Sequence, residues 1–255
     1  MTLDRPVTIV TGATSGIGAA IAETLCQKGH AVVIVGRSLQ AGAALEDRLK
    51  TAGGSALFLA EDLSDRTAPD RIAATTQTFG GQIDALVNNA GLLRNGTAPE
   101  TSDDDWDAVL DLNLSAAFRM SRAVLPQMQA QGQGSILNVA SDWAPMGARG
   151  AVAPAVSKAA LAQMFRCNAL DHEQEGIRVN AICPTDTDTP MLDLASSDGD
   201  RASKIARLAA TIPMGRVARV KEVAAVAAFL LSNEAGFITG SLIPVDGGTS
   251  AQKGG

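Results

Sequence analysis

Val7-Thr8-Ile9-Val10-Thr11-Gly12-Ala13-Thr14-Ser15-Gly16-Ile17-Gly18 is the stretch on which the fold turns. Its first four residues are β-branched and read as a short buried strand. Beyond the glycines, Ile17, Ala20, Ile21 and Leu25 recur at helical spacing, and Lys28-Gly29 supplies a cationic last turn followed by a glycine stop. A second apolar run, Ala31-Val32-Val33-Ile34-Val35, reads as the next strand. The glycines therefore occupy the first turn of a β-α-β unit, where the chain turns sharply and its backbone can approach a ligand closely. A helix N-terminus there offers unpaired N–H groups and partial positive charge, which suit a pyrophosphate. An ordinary tight turn is the competing explanation; the strand–turn–helix–strand order favours a dinucleotide.

Outward from this unit the alternation continues. Strand-like runs at 7–10, 31–35, 56–59, 84–87, 135–139, 178–182 and 241–245 are separated by helical stretches near 17–28, 39–50, 68–79, 103–130, 154–175, 203–210 and 219–232. Ser102-Asp103-Asp104-Asp105 is a strong helix start, with acids in the first turn. Such alternation predicts a parallel sheet covered on both faces and joined by right-handed crossovers. No linker, repeat or low-complexity tract divides the 255 residues, so one α/β domain over 1–255 is expected. Ligands of such a sheet bind beyond the carboxyl ends of its strands, and Gly12, Asn88, Ser141 and Pro184 all follow strand ends.

Bulk properties narrow the function classes. A net charge of −6 argues against a nucleic-acid surface. No apolar run reaches bilayer length, and the basic-then-apolar plan of a signal peptide is missing, so a cytoplasmic protein with no membrane partner is expected. Cys26, Cys167 and Cys183 are odd in number and scattered, which predicts neither a disulfide framework nor a metal site. Cys183 reads as a small buried hydrophobe. His30 and His172 have no ligand partners nearby in sequence and read as packing or surface residues.

The glycines fall as G-x-x-x-G-x-G rather than G-x-G-x-x-G. Together with Thr11, with Asn88-Asn89-Ala90-Gly91 after an apolar run, with Asn113 in Asp111-Leu112-Asn113-Leu114, with Asn138-Val139-Ala140-Ser141, with Ser157-Lys158, with Pro184 and with Val245-Asp246-Gly247-Gly248, the chain resembles the short-chain dehydrogenase/reductase family along nearly its whole length. The resemblance implies a Rossmann-type doubly wound parallel sheet and a nicotinamide cofactor. It implies cofactor contacts at Thr11, Gly12, Thr14, Ser15, Gly16, Ile17 and Gly18, at Arg37, Ser38, Asp62 and Leu63, at Asn89, Ala90 and Gly91, and at Lys158, Pro184, Thr187 and Thr189. Ser141, Lys158 and Asn113 match the family's catalytic positions: the serine that bonds a substrate carbonyl, the lysine that holds the nicotinamide ribose, and the asparagine that supports a water near that lysine. Taken alone, Ser141 could instead cap a turn, Lys158 be a solvated helix residue and Asn113 bond backbone within its helix. The segment 185–215 resembles the family's substrate loop and lid, where mobility is expected. Relatives commonly assemble through the helices near 103–130 and 154–175, which implies a homo-oligomer, a tetramer or a dimer.

Two departures from the pattern matter. Relatives that prefer NAD end the second strand with an acid; here Gly36 is followed by Arg37 and Ser38, which favours NADP(H) over NAD(H) through pairing with a 2′-phosphate. Asp62 is either the family's adenine-contacting acid or a plain helix N-cap. The second departure is larger. The family's chemistry uses a Tyr-x-x-x-Lys pair on one helix face, but Pro154 stands four residues before Lys158 and the chain contains no tyrosine. Proline is harmless in a first helical turn, so the fold should survive. Candidate replacements for the phenolic acid are Asp142 or a held water; Asp142 otherwise reads as a turn residue, and Ser157 is a poor acid. Two functions follow: an oxidoreductase moving hydride between NADP(H) and a carbonyl or secondary alcohol with impaired or surrogate proton transfer, or a catalytically silent NADP(H)-binding sensor or partner subunit. Asp186 and Asp188, beside the expected nicotinamide site, would disfavour anionic substrates.

Overall fold

The computed structural model describes residues 3–194 and 200–252. Its strands are β1 (Val7–Thr11), β2 (Ala31–Gly36), β3 (Ser55–Ala60), β4 (Ala85–Asn88), β5 (Gly134–Val139), β6 (Ile177–Pro184) and β7 (Leu242–Val245). They pair in parallel in the order β3-β2-β1-β4-β5-β6-β7. The order reverses between β1 and β4, opening the crevice in which doubly wound sheets bind ligands.

Helices α1 (Gly16–Gln27), α2 (Leu39–Thr51), α3 (Ala68–Gly80), α4 (Asp103–Leu110), α5 (Ala116–Gln131), α6 (Val152–His172), α7 (Met191–Leu194), α8 (Arg201–Thr211) and α9 (Val220–Leu231) connect the strands. Period-two alternation divides the central strands between two cores. Val32 and Ile34 of β2 pack with Ile21 and Leu25 of α1 and with Val223 and Leu230 of α9. Val33 and Val35 face the other way, toward a cluster holding Ile72, Met120, Val124 and Phe165. Both faces of the sheet are covered, which is why its strands read as continuous apolar runs.

The expected helix over 103–130 is interrupted. Ser102 caps α4 by accepting from the Asp105 N–H at 3.1 Å, as its sequence implies. Asp111–Ser115 then form a π-helical turn before α5 begins. The wider turn buries Asn113 to 2% exposure, and its amide engages the chain beyond β4. Of the 185–215 segment expected to be a mobile lid, residues 191–194 and 201–211 are helical, and 195–199 lie outside the described residues. No described helix is long and apolar enough to cross a membrane. Among the described residues no cluster of His, Cys, Asp and Glu could hold a metal. The three cysteines are free.

A chain of asparagines crosses the sheet beneath the ligand rim. Asn88 Nδ2 donates to Asn138 Oδ1 at 3.0 Å, Asn138 Nδ2 to the Asn180 carbonyl at 3.3 Å, and Asn180 Nδ2 to the Ile238 carbonyl at 2.7 Å. The Asn180 Oδ1 accepts from the Ser241 N–H at 3.0 Å. These amides lock β4, β5 and β6 in register and bind the loop before β7. All three are nearly fully buried, so losing one partner leaves another polar group unsatisfied. Asn138→Ala should lower stability by about 2–3 kcal/mol, read in urea unfolding as a lower midpoint at an unchanged slope. An unchanged midpoint would show that the chain of amides contributes nothing.

Candidate functional site

The glycine turn between β1 and α1 is held from behind. Thr11 Oγ1 donates to the Val87 carbonyl at 3.1 Å and accepts from the N–H groups of Asn89 and Ala90 at 3.0 and 3.1 Å. Asn89 Nδ2 returns bonds to the carbonyls of Thr11 and Gly12 at 2.9 and 3.1 Å. Gly12 has φ +63°, and a Cβ there would stand 2.8 Å from the Ala90 Cα. A Cβ on Gly18 would stand 2.4 Å from both Asn89 Nδ2 and the Gly12 carbonyl oxygen. Thr11 and Gly18 therefore shape the turn from within and are not among the residues lining the cleft. Ser15 takes the N-cap position of α1 in extended conformation, and its side chain makes no capping bond. The first N–H groups of α1 are left for a ligand.

In front of this turn lies a cleft of about 340 Å³ lined by Gly12, Thr14, Ser15, Gly16 and Ile17 on one side and by Asn89, Ala90 and Gly91 on another. Gly36, Arg37, Ser38, Asp62 and Leu63 close its far end, and Thr189 overhangs it. The Arg37 guanidinium is 71% exposed and stands 4.0 Å from Asp62, too loose a pairing to commit it. Ser38 Oγ caps α2 by accepting from the Ala41 N–H. Asp62 Oδ1 accepts from the Ser64 N–H and hydroxyl at 3.0 and 2.9 Å, and those bonds, led by the backbone one, hold its carboxyl below the usual range. Asp62 thus closes a turn rather than capping α3, which starts at Ala68.

The cleft shares Ile17, Asn89, Gly91 and Thr189 with a second cavity of about 410 Å³. Ser141, Lys158, Asn113, Pro154, Pro184 and Thr187 all border it. Lys158 Nζ donates to the Val139 carbonyl at 2.7 Å, and burial depresses its pKa to about 8. Burial pushes the neighbouring Cys183 thiol up to about 11. The Asn113 amide is committed to the Leu92 N–H and carbonyl at 2.7 and 3.0 Å and to Ser157 Oγ at 3.0 Å. It fastens the loop after β4 to α6 rather than bonding within its own helix. Ser157 Oγ donates back to the Pro154 carbonyl at 2.7 Å. Thr187 Oγ1 is likewise bonded locally, to the Thr185 carbonyl at 2.8 Å.

Carboxyl placement differs from the sequence expectation. Asp186 borders the cavity, and burial, aided by the charge of Asp142, raises its pKa. Asp188 does not border it; its carboxylate pairs with Arg201 at 2.6 Å, and Arg201 also pairs with Asp193, so α8 is tied to the segment around α7. Arg149, on the loop before α6, contributes a cation to the cavity that local spacing gave no means of locating. The combined negative field expected from Asp186 and Asp188 is therefore reduced. Trp143, two residues after Ser141, and Thr185, which the folded chain brings to Ser141, are further wall residues.

A family model described as Enoyl-(Acyl carrier protein) reductase matches residues 12–250. An uncharacterized oxidoreductase of Thermotoga maritima is 35% identical over 252 residues, 98% of this chain and the whole of that one. A solved structure of a protein provisionally described as an NAD(P) dependent gluconate 5-dehydrogenase from Beutenbergia cavernae, with NADP bound at low occupancy, superposes with a TM-score of 0.90 at 34% identity, covering 98% of this chain and 99% of the other. A variant of the actinorhodin polyketide ketoreductase with NADPH superposes with a TM-score of 0.94 at 31% identity, covering 99% and 100%. Sheet order, glycine turn and these likenesses agree across nearly the full length: the chain belongs to the short-chain dehydrogenase/reductase family of oxidoreductases.

Proposed function

We propose that this chain is a single-domain NADP(H)-dependent oxidoreductase that interconverts a small-molecule carbonyl and its secondary alcohol, with proton transfer that proceeds without the family's phenol. The observation that carries this reading is the shared wall of the two cavities: Ile17, Asn89, Gly91 and Thr189 border both the cleft in front of α1 and the space bordered by Ser141 and Lys158. The residues present fit a dinucleotide. The first N–H groups of α1 have no capping side chain, Gly12 leaves its backbone bare against Ala90, and Arg37 stands exposed where a 2′-phosphate would need a cation. When bound there, NADPH supplies a hydride to the carbonyl carbon. The protein's part is to seat the adenosine phosphate against Arg37 and Ser38, the pyrophosphate on residues 14–17, and the nicotinamide end among Thr189, Pro184 and Lys158. Ser141 faces the cavity as the group to hold the carbonyl oxygen.

The reading also places the protein in the cytoplasm. Phe118 on α5 and Val156 and Leu170 on α6 are exposed apolar side chains, and they support a homo-oligomer built on those helices.

Arg37→Ala should weaken NADPH binding by about tenfold or more and leave NADH nearly unchanged, since a charge-assisted bond contributes about 1.5–3 kcal/mol. Calorimetric titration of both nucleotides measures this. Equal losses for the two would remove Arg37 from phosphate recognition, and binding of neither by the parent chain would remove the cofactor altogether.

A second reading is favoured by one observation. Pro154 is buried at the cavity edge and brings no ionisable group there. On that reading the chain is a silent NADP(H)-binding sensor or partner subunit. Ketone reduction by the parent chain distinguishes the two. If the chain is an enzyme, Ser141→Ala cuts NADPH oxidation with an activated ketone sharply. Pro154→Tyr, one helical turn before Lys158, should raise the rate by about 10²–10⁴-fold. A silent parent chain that Pro154→Tyr awakens would establish the second reading.

A further inference from the structure

The hydrogen-bond inventory of Ser141 decides where a proton can come from. Its hydroxyl has one hydrogen. That hydrogen goes to Asp142 Oδ1 at 2.9 Å, and Oγ accepts from the Trp143 N–H at 3.2 Å. An ionised carboxylate is acceptor-only, so in this arrangement Ser141 has nothing left to donate to a carbonyl oxygen in the cavity. When Asp142 is protonated the bond reverses. The carboxylic acid then donates to Oγ, and the serine hydrogen turns into the cavity.

We infer that Asp142 is the proton reservoir that stands in for the absent phenol, delivering its proton to the substrate oxygen through the Ser141 hydroxyl. This rests on the oxidoreductase reading above. Once the carbonyl carbon has been reduced at the expense of NADPH, its oxygen carries the negative charge. The Ser141 O–H bond breaks and its proton neutralises that oxygen. The Asp142 O–H bond breaks and its proton restores the serine. The carboxylate left behind regains a proton from water in the open cavity. No group of the protein is oxidised or reduced, and the sequence runs backward for alcohol oxidation.

The surroundings keep the acid form within reach. Asp142 is only 8% exposed, and burial is the leading cause raising its pKa above the ordinary range. Asp246, after β7, raises it further by its negative charge, while the bonds from Thr185, Ser141 and the Trp143 N–H pull it down. Asp186, after β6, is raised by burial and by Asp142 in turn. The other ionisable groups of the same cavity are Lys158, whose Nζ is turned to the Val139 carbonyl, and Arg149 on the loop before α6, while the buried Cys183 thiol of β6 senses the charges of Asp142 and Lys158. The direction follows: reduction needs Asp142 protonated, so its rate falls as pH rises through the Asp142 pKa, and oxidation gains over the same interval.

The test combines kinetics with a measurement on the cofactor-free protein. Asp142→Asn keeps the size and the bonding to Ser141 but holds no acidic proton. It should bind NADPH within about twofold of the parent, lower kcat for ketone reduction by about 10²-fold, and abolish the fall of kcat with pH that the parent shows. Asp142→Glu, which restores an acid, should recover part of the rate together with a pH-dependent limb. In carboxyl-labelled parent protein without nucleotide, the ¹³C resonance lost in Asp142→Asn should titrate above the ordinary aspartate range. Should Asp142→Asn prove unfolded, the Asp142→Glu profile and the parent's own pH limb carry the decision. Turnover and pH profile unchanged in Asp142→Asn, or a carboxyl that titrates at or below the ordinary range, overturn the relay alone. Tight NADPH binding without any turnover in the parent overturns the oxidoreductase reading and the relay with it.

Discussion

Thr11 and Asn89 form a clasp between the ends of β1 and β4, and the geometry of the site depends on it. One buried hydroxyl meets a carbonyl and two N–H groups, and one amide meets the two carbonyls of the chain opposite. The two strand ends diverge at the point where the sheet order reverses, so without the clasp the glycine turn would carry several unsatisfied polar groups at the edge of a cleft. With it, the backbone of Gly12 is pressed against Ala90, and α1 begins with its N–H groups bare and facing outward. A threonine that does not line the cleft is thereby as necessary to it as any residue that does.

From that clasp the architecture extends in two directions. Toward β2 and β3 it meets Gly36, Arg37 and Asp62, and toward β5 and β6 it meets Ser141 and Pro184. The asparagine chain through Asn88, Asn138 and Asn180 keeps the second group in register with the first. Both cavities are therefore parts of one rim. Their shared wall follows from strand order and from polar residues buried just below the strand ends.

The strands and most helices were legible because parallel strands buried on both faces are continuous β-branched runs, and helices covering them keep a 3.6-residue period. The π turn at Asp111–Ser115 was not legible, since one inserted residue barely disturbs apolar spacing while it redirects Asn113 inward. The glycine turn was legible because it follows a strand end and opens a helix, whereas Ser141 and Lys158 were marked by the family resemblance, since taken alone they read equally as a turn cap and a solvated helix residue. Asp188 was misplaced for the opposite reason: its partner Arg201 belongs to another element, and ion pairs between elements leave no local pattern. Arg149 and Trp143, on the loop between β5 and α6, and Thr185, after β6, reach the cavity through the packing of two separate loops.

The same distinction bears on the absent tyrosine. Read as a motif, Pro154 is a deletion of function, because the spacing to Lys158 is kept and the phenol is not. Read as a cavity, the position is one wall of a space that still contains a serine with a single transferable hydrogen, a lysine whose burial brings its pKa to about 8, and a carboxyl shifted upward by burial. A general acid needs a proton near the reacting oxygen and a pKa near the working pH, and nothing in that requirement specifies a phenol. Lys158 holds a proton but directs it to the Val139 carbonyl, whereas Asp142 accepts the hydrogen of Ser141, a residue that borders the cavity. Connectivity, more than acidity, separates the two.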